Sequence, residues 1–151
     1  MRTVQTTKDV HDGVSGRVVI ILADFNREIA DGLLRGCEEV LREYSSVQWK
    51  VHRVPGAWEI PLRVQQLARE KQCDVIIALG CVIKGKTQHY DSVVQECARG
   101  CMDVSLREDI PVVYEVIATE NEKDAQERSC GRGNKGRAAA TVALDWLEKL
   151  S

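Results

Sequence analysis

Three runs of aliphatic and β-branched residues constrain this chain more than any other feature. They are Arg17-Val18-Val19-Ile20-Ile21-Leu22-Ala23, Asp74-Val75-Ile76-Ile77-Ala78-Leu79 and Pro111-Val112-Val113-Tyr114-Glu115-Val116-Ile117-Ala118. A strand with one wet face alternates apolar and polar residues. A near-continuous apolar run suits a strand covered on both faces of a parallel sheet. Gln48 to Val54 reads as one more strand. After each strand the apolar period changes to that of a helix. Ile29, Leu33, Cys37, Val40 and Leu41 form the first such stripe, and Ile60, Val64, Leu67 and Ala68 the second. Tyr90, Val93, Val94, Cys97, Ala98, Cys101 and Val104 form the third, and a short helix follows the last strand to about Arg128. The final helix carries Ala139, Val142, Ala143, Trp146, Leu147 and Leu150 on one side, and Asn26 is suited to cap the first helix.

Strand and helix alternate four times. The pattern predicts a three-layer, flavodoxin-like α/β fold, a four-stranded parallel sheet with helices on both faces and right-handed crossovers. The 151 residues form one domain over 17–151, preceded by an arm over 1–16 that is polar and without period. Ligands in such sheets bind beyond the carboxyl ends of the strands. Four segments therefore qualify: Asp24 to Asn26, Pro55 to Glu59, Gly80 to His89, and Thr119 to Asn121.

Composition removes whole classes of function. Lys plus Arg total 21 against 23 Asp plus Glu, so a net charge of -2 gives no basis for non-specific nucleic-acid or membrane binding. No apolar run is long enough to span a bilayer, and the first residues lack the apolar core of a signal peptide. A cytoplasmic location is expected, and the six cysteines then read as core residues rather than disulfides. Cys97 and Cys101, with His89 nearby, could offer three metal ligands, but no second cluster has zinc spacing. No metal and no cofactor is expected.

Gly80-Cys81-Val82-Ile83-Lys84-Gly85-Lys86-Thr87 fits GxxxxGK[ST], the nucleotide phosphate loop, between a strand and a helix. That reading makes the chain a phosphotransferase, with backbone amides and Lys86 on phosphate and Thr87 on Mg²⁺. The variable positions are bulky, however, and the strand best suited to supply a metal-holding Asp, Val18 to Asp24, lies upstream. A strand–turn–helix with no ligand is the other reading of the same residues.

Taken in order, the strand-end segments carry a resemblance. They are Phe25-Asn26, Val54-Pro55-Gly56-Ala57-Trp58-Glu59-Ile60-Pro61 and Gly85-Lys86-Thr87-Gln88-His89-Tyr90-Asp91, then Ile110 to Tyr114, Gln126-Glu127-Arg128 and Asn134-Lys135-Gly136. With these the chain resembles the lumazine synthases of riboflavin biosynthesis from about Arg17 to Trp146. The resemblance implies condensation of 5-amino-6-(D-ribitylamino)uracil with 3,4-dihydroxy-2-butanone 4-phosphate to 6,7-dimethyl-8-ribityllumazine, phosphate and water.

It also implies roles. Phe25 stacks on the pyrimidine, Ala57, Trp58 and Glu59 meet the ribityl chain and ring, and the backbone of Cys81, Val82 and Ile83 reads the pyrimidine edge. Tyr114 closes over the ring from a neighbouring subunit. Lys86, Thr87 and Arg128 hold the phosphate, with Lys135 close by, and Arg128 comes from the neighbour. His89 is the catalytic histidine, a residue type that exchanges protons near neutral pH. Lys86 stands where the family commonly has an acid, and Glu115 where a Gly is common. The resemblance further implies homopentamers, in some members built into 60-subunit shells, with active sites between neighbours and the N-terminal arm pairing with an adjacent sheet. Association with riboflavin synthase is a further expectation. A nucleotide-hydrolysing enzyme and a non-catalytic flavin- or pterin-binding module remain the rival classes.

Overall fold

A computed structural model describes residues 13–151. The expected arm falls mostly on residues 1–12, outside the described residues, as does its pairing with a neighbour. Strand β1 (Gly16–Ala23) is followed by helix α1 (Arg27–Leu41), β2 (Val47–Val54), a 3₁₀ turn (Ala57–Glu59) and α2 (Ile60–Glu70). Then come β3 (Val75–Ile83), α3 (Tyr90–Glu108), β4 (Val112–Thr119) and α4 (Glu122–Arg128). A second 3₁₀ turn (Gly131–Gly133) leads into α5 (Lys135–Leu150).

The sheet order is β2-β1-β3-β4, all parallel. β1 and β3 are central, and every residue of β3 is buried. That is why their apolar runs do not alternate. Ile20, Leu22, Ile77, Leu79 and Cys81 face the core under α1 and α5. Ile21, Ala23, Ile76, Ala78 and Val82 face the core under α2 and α3. Among the described residues, no helix is long and apolar enough to cross a membrane.

Three local expectations change. β3 runs on through Gly80, Cys81, Val82 and Ile83, paired with Val116, Ile117, Ala118 and Thr119 of β4. Asn26 does not cap α1 with its side chain. It takes a left-handed conformation (φ 60°), and its Nδ2 donates to the Cys81 carbonyl at 3.1 Å, tying the end of β1 to β3. In α5 the core face is Ala139, Ala140, Ala143, Leu144 and Leu147, while Val142, Trp146 and Leu150 stay substantially exposed. The rotation of that helix is set where it meets α1. A Cβ on Gly136 would lie 1.9 Å from the Leu33 carbonyl oxygen, so only glycine allows this approach. Farther along α5, Leu147 packs onto Gly16 at the start of β1.

Candidate active site

The pocket at the strand ends is built by three connections meeting above β1 and β3. Asp24 and Phe25 donate their amides to Val54 and Pro55 carbonyls at 2.8 and 3.0 Å, fixing the turn after β1 against the turn after β2. The Glu59 carboxylate turns back and accepts from the Gly56 amide at 3.0 Å, which rigidifies Gly56 to Glu59. These segments and the end of β3 enclose a cavity of about 220 Å³ lined by Phe25, Gly56, Ala57, Trp58, Glu59, Cys81, Val82, Thr87 and Val93. Phe25 and Trp58 are half or more exposed. An aromatic left open to solvent at a strand end offers a flat face to a planar ligand.

Larger clefts lie elsewhere. One of about 490 Å³ sits between α1 and the segment before α5, one of about 530 Å³ lies beside the beginnings of β1 and β2, and one of about 330 Å³ lies along α1 beside Arg53. None of the three is lined by the turns that follow β1, β2 and β3, so the smaller cavity is the candidate site.

The third connection is tight. Lys86 donates its amide to the Ile83 carbonyl at 3.2 Å, and Gly85 has φ +89°, the geometry of a β-turn that requires glycine at its third position. Lys84 N–H donates to the Thr119 carbonyl at 2.9 Å, docking this turn on the end of β4. The Thr87 hydroxyl oxygen that follows is buried with no hydrogen-bond partner in the protein. A buried, unpartnered hydroxyl is costly unless something outside the chain completes it.

This geometry does not fit the nucleotide phosphate loop. Gly80 to Ile83 are extended strand residues paired along one edge with β4, so the chain there does not curl round a phosphate. Helix α3 starts only at Tyr90, so neither Lys86 nor Thr87 stands at its first turn. Lys86 Nζ donates to Glu122 Oε2 at 2.9 Å.

The remaining candidate residues divide. His89 is exposed at the position preceding α3, its carbonyl accepting from the Val93 amide at 2.9 Å, two residues beyond Thr87. Ile83 is buried in the core under α1 and α5, with its side chain off the cavity. Cys81 lines the site as a neutral thiol: burial pushes its pKa up to about 11, against the pull of Lys86 and Arg128. Arg128 ends α4, its Nη1 donating to the Ala118 carbonyl at 3.4 Å. Its charge lowers the Cys81 pKa within the same chain, less than Lys86 does.

Tyr114 lies in mid-β4, level with Ala78, far from the strand end. Its ring packs in the core under α2 and α3, and its hydroxyl is buried beside the Cys97 and Cys101 thiols, without a well-formed hydrogen bond. Lys135 begins α5 and acts on the Glu115 carboxylate across β4. Neither residue reaches the cavity of its own chain. Among the described residues no three His, Cys, Asp or Glu side chains gather as metal ligands, so Cys97, Cys101 and His89 do not form such a site.

Sequence reasoning placed Gly56 in a qualifying segment, but missed Val93 as a lining residue and Glu122 as the partner of Lys86. Val93 was signalled by its place one helical turn after His89. Glu122 carried no signal, being 36 residues from Lys86.

The profile of one protein family, described as 6,7-dimethyl-8-ribityllumazine synthase, matches residues 15–151. Proteins of that name are similar over most of their length. One from Xylella fastidiosa is 44% identical over 140 residues, covering 89% of this chain and 91% of the relative. One from Xanthomonas campestris is 42% identical over 139 residues, 90% of each chain. One from Limosilactobacillus reuteri is 37% identical over 134 residues, 88% of each.

Proposed function

The chain belongs to the 6,7-dimethyl-8-ribityllumazine synthase family, and on that premise we propose that it condenses 5-amino-6-(D-ribitylamino)uracil with 3,4-dihydroxy-2-butanone 4-phosphate. The products are 6,7-dimethyl-8-ribityllumazine, phosphate and water, and the reaction serves riboflavin biosynthesis. The observation that carries this reading is the cavity itself. An open aromatic, Phe25, the Gly56 to Glu59 turn held by its own carboxylate, and Thr87 with a buried hydroxyl that has no partner line one cavity with the end of β3.

Phe25 stacks on the pyrimidine, and Ala57, Trp58 and Glu59 take the ribityl chain, whose hydroxyls match a carboxylate and backbone groups. The backbone of Cys81, Val82 and Ile83 reads the ring edge. Thr87, Lys86 and Arg128 bind the phosphate, with Lys135 as a further cation. A hydroxyl, an ammonium and a guanidinium suit a phosphate ester, with charge-assisted bonds stronger than neutral ones. His89 takes and returns protons as the imine forms and phosphate leaves. Cys81 is a lining residue and no nucleophile, consistent with a thiol held neutral by burial. The reaction so written uses neither metal nor cofactor.

The proposal extends to assembly: a homopentamer, alone or within a 60-subunit shell, with each site completed by Tyr114 of a neighbour. Two observations support it. Tyr114 and Lys135 lie off their own chain's cavity. Leu62 of α2 and Met102 and Leu106 of α3 are exposed large apolar side chains, which an interface would cover. A cytoplasmic location and association with riboflavin synthase belong to the same proposal.

Mixing the two substrates with the protein and EDTA tests the function. Lumazine absorbance should rise only with both substrates present, and chelation should not slow it. Tight lumazine or flavin binding without condensation would instead mark a binding module. Mg²⁺-dependent ATP hydrolysis would return the nucleotide reading.

A further inference from the structure

The turn carrying Thr87 is joined to the β4–α4 connection by two ion pairs of different quality. Lys84 Nζ and Glu120 Oε2 are 3.8 Å apart, with the Glu120 side chain 73% exposed. Lys86 Nζ and Glu122 Oε2 are at bonding distance, 2.9 Å, and each side chain is about half exposed. The backbone imposes the pairing. Lys84 N–H is bonded to the Thr119 carbonyl, and the glycine turn brings Lys86 round toward Glu122 at the start of α4.

Lys86 lies outside the cavity wall, next in sequence to Thr87, which lines it. It is the strongest of the charges that pull down the Cys81 thiol, ahead of Arg128, and the next residue presents the unpartnered Thr87 hydroxyl. One ammonium therefore faces two anions in turn, a resident carboxylate and the phosphate of the proposed substrate. A carboxylate at bonding distance cancels most of the lysine's charge and repels a phosphate dianion.

We propose, resting on the lumazine-forming reading, that Glu122 withholds Lys86 from the phosphate and so sets the affinity for the phosphate ester and for the phosphate released. Lys86 is then a phosphate-binding residue whose availability depends on a carboxylate outside the cavity. Glu122 is a positioning residue that acts through it. Competition of this kind weakens the hold on the ketone phosphate, but it weakens the hold on product phosphate equally, which favours release.

Glu122→Gln removes the charge and keeps the size, and Glu122→Ala serves as a second variant should the amide form its own bond to Lys86. The readouts are KM for the ketone phosphate, KM for the ribitylaminouracil, and the competitive inhibition constant of inorganic phosphate. Freeing an exposed ammonium for a dianion should lower both phosphate constants by about three- to fivefold, on the scale of a partly exposed charge pair. The pyrimidine KM should move by less than about twofold, since Glu122 acts only on phosphate in this scheme. In a Lys86→Ala background, adding Glu122→Gln should leave the phosphate constants where Lys86→Ala alone puts them. Unchanged phosphate constants in folded Glu122 variants would overturn the inference, as would an equal drop without Lys86. A wild-type protein that makes no lumazine overturns the function itself. One that makes it with phosphate constants indifferent to Glu122 overturns only this inference.

Discussion

Thr87 shows how a single atom can separate a structural from a functional role. Its hydroxyl oxygen has no protein partner, so Thr87→Val removes a polar atom that contributes nothing to the fold. Thermal stability should hold or rise slightly. If the oxygen binds phosphate, KM for the ketone phosphate should rise by about tenfold, the worth of one hydrogen bond to a charged group. A variant with lost stability and unchanged KM would make Thr87 a structural residue. His89 calls for the opposite readout. It is exposed and outside the wall of the cavity, so His89→Ala should leave pyrimidine binding nearly intact. Turnover should fall about 10- to 1000-fold, the range of a lost proton shuttle with substrate positioning retained. Single-turnover lumazine formation beside equilibrium pyrimidine binding separates the two effects. Both residues were legible as candidates because short motifs place them at a strand end. The state of each was not, since burial of one oxygen depends on how Lys84 docks against Thr119, a contact between residues far apart in the chain.

Among the elements, β1 and β3 were the most legible, because covering both faces leaves a run of aliphatic residues with nothing polar between them. The end of β3 was misread for the same reason that it is a strand. Cys81, Val82 and Ile83 continue the apolar run, and the flanking glycines and Lys86 overlay a loop pattern on it. Asn134 is the element-scale counterpart. As part of Asn134-Lys135-Gly136 it reads as a motif near the site, but its work is to join α1, α4 and α5. Its Nδ2 donates to the Gly32 and Ser129 carbonyls at 2.9 and 3.0 Å, and its Oδ1 accepts from the Gly136 amide at 2.8 Å. All three bonds are buried, so Asn134→Ala should cost about 2–4 kcal/mol, more than a typical surface substitution. Urea unfolding gives this value, and a loss under about 1 kcal/mol would mean that water replaces the side chain. In β4, burial raises the Glu115 carboxyl above the usual carboxylate range, with Lys135 pulling the other way. The folded state thus holds its proton more tightly than the unfolded state. Stability from this group is present below the unfolded value and is lost as pH rises through the raised one. Glu115→Gln should therefore stabilise the protein at pH 7 and lose that advantage near pH 4. An equal gain at both pH values would assign the effect to packing.

For the molecule as a whole, the sequence pattern specified four parallel strands and two helical layers, and the sheet order β2-β1-β3-β4 follows from which runs are most buried. Tyr114 lies away from the cavity that Phe25 opens, so the proposed site takes this residue from a second subunit. If a neighbour's Tyr114 closes that cavity, activity per chain should fall on dilution in step with dissociation. Sedimentation and lumazine formation measured over the same concentrations check this, and full activity in dissociated chains would place the whole site within one subunit. The contact of Leu147 with Gly16 has another consequence. Helix α5 packs on β1, far earlier in the sequence, so during synthesis the part of the sheet face that α5 covers stays bare until α5 has left the ribosome. A stalled or truncated message thus gives a product with an open core rather than a slightly shortened enzyme. Quality control has a clear signal to act on, and a fusion at the C-terminus needs enough linker for α5 to reach its seat before the added domain folds.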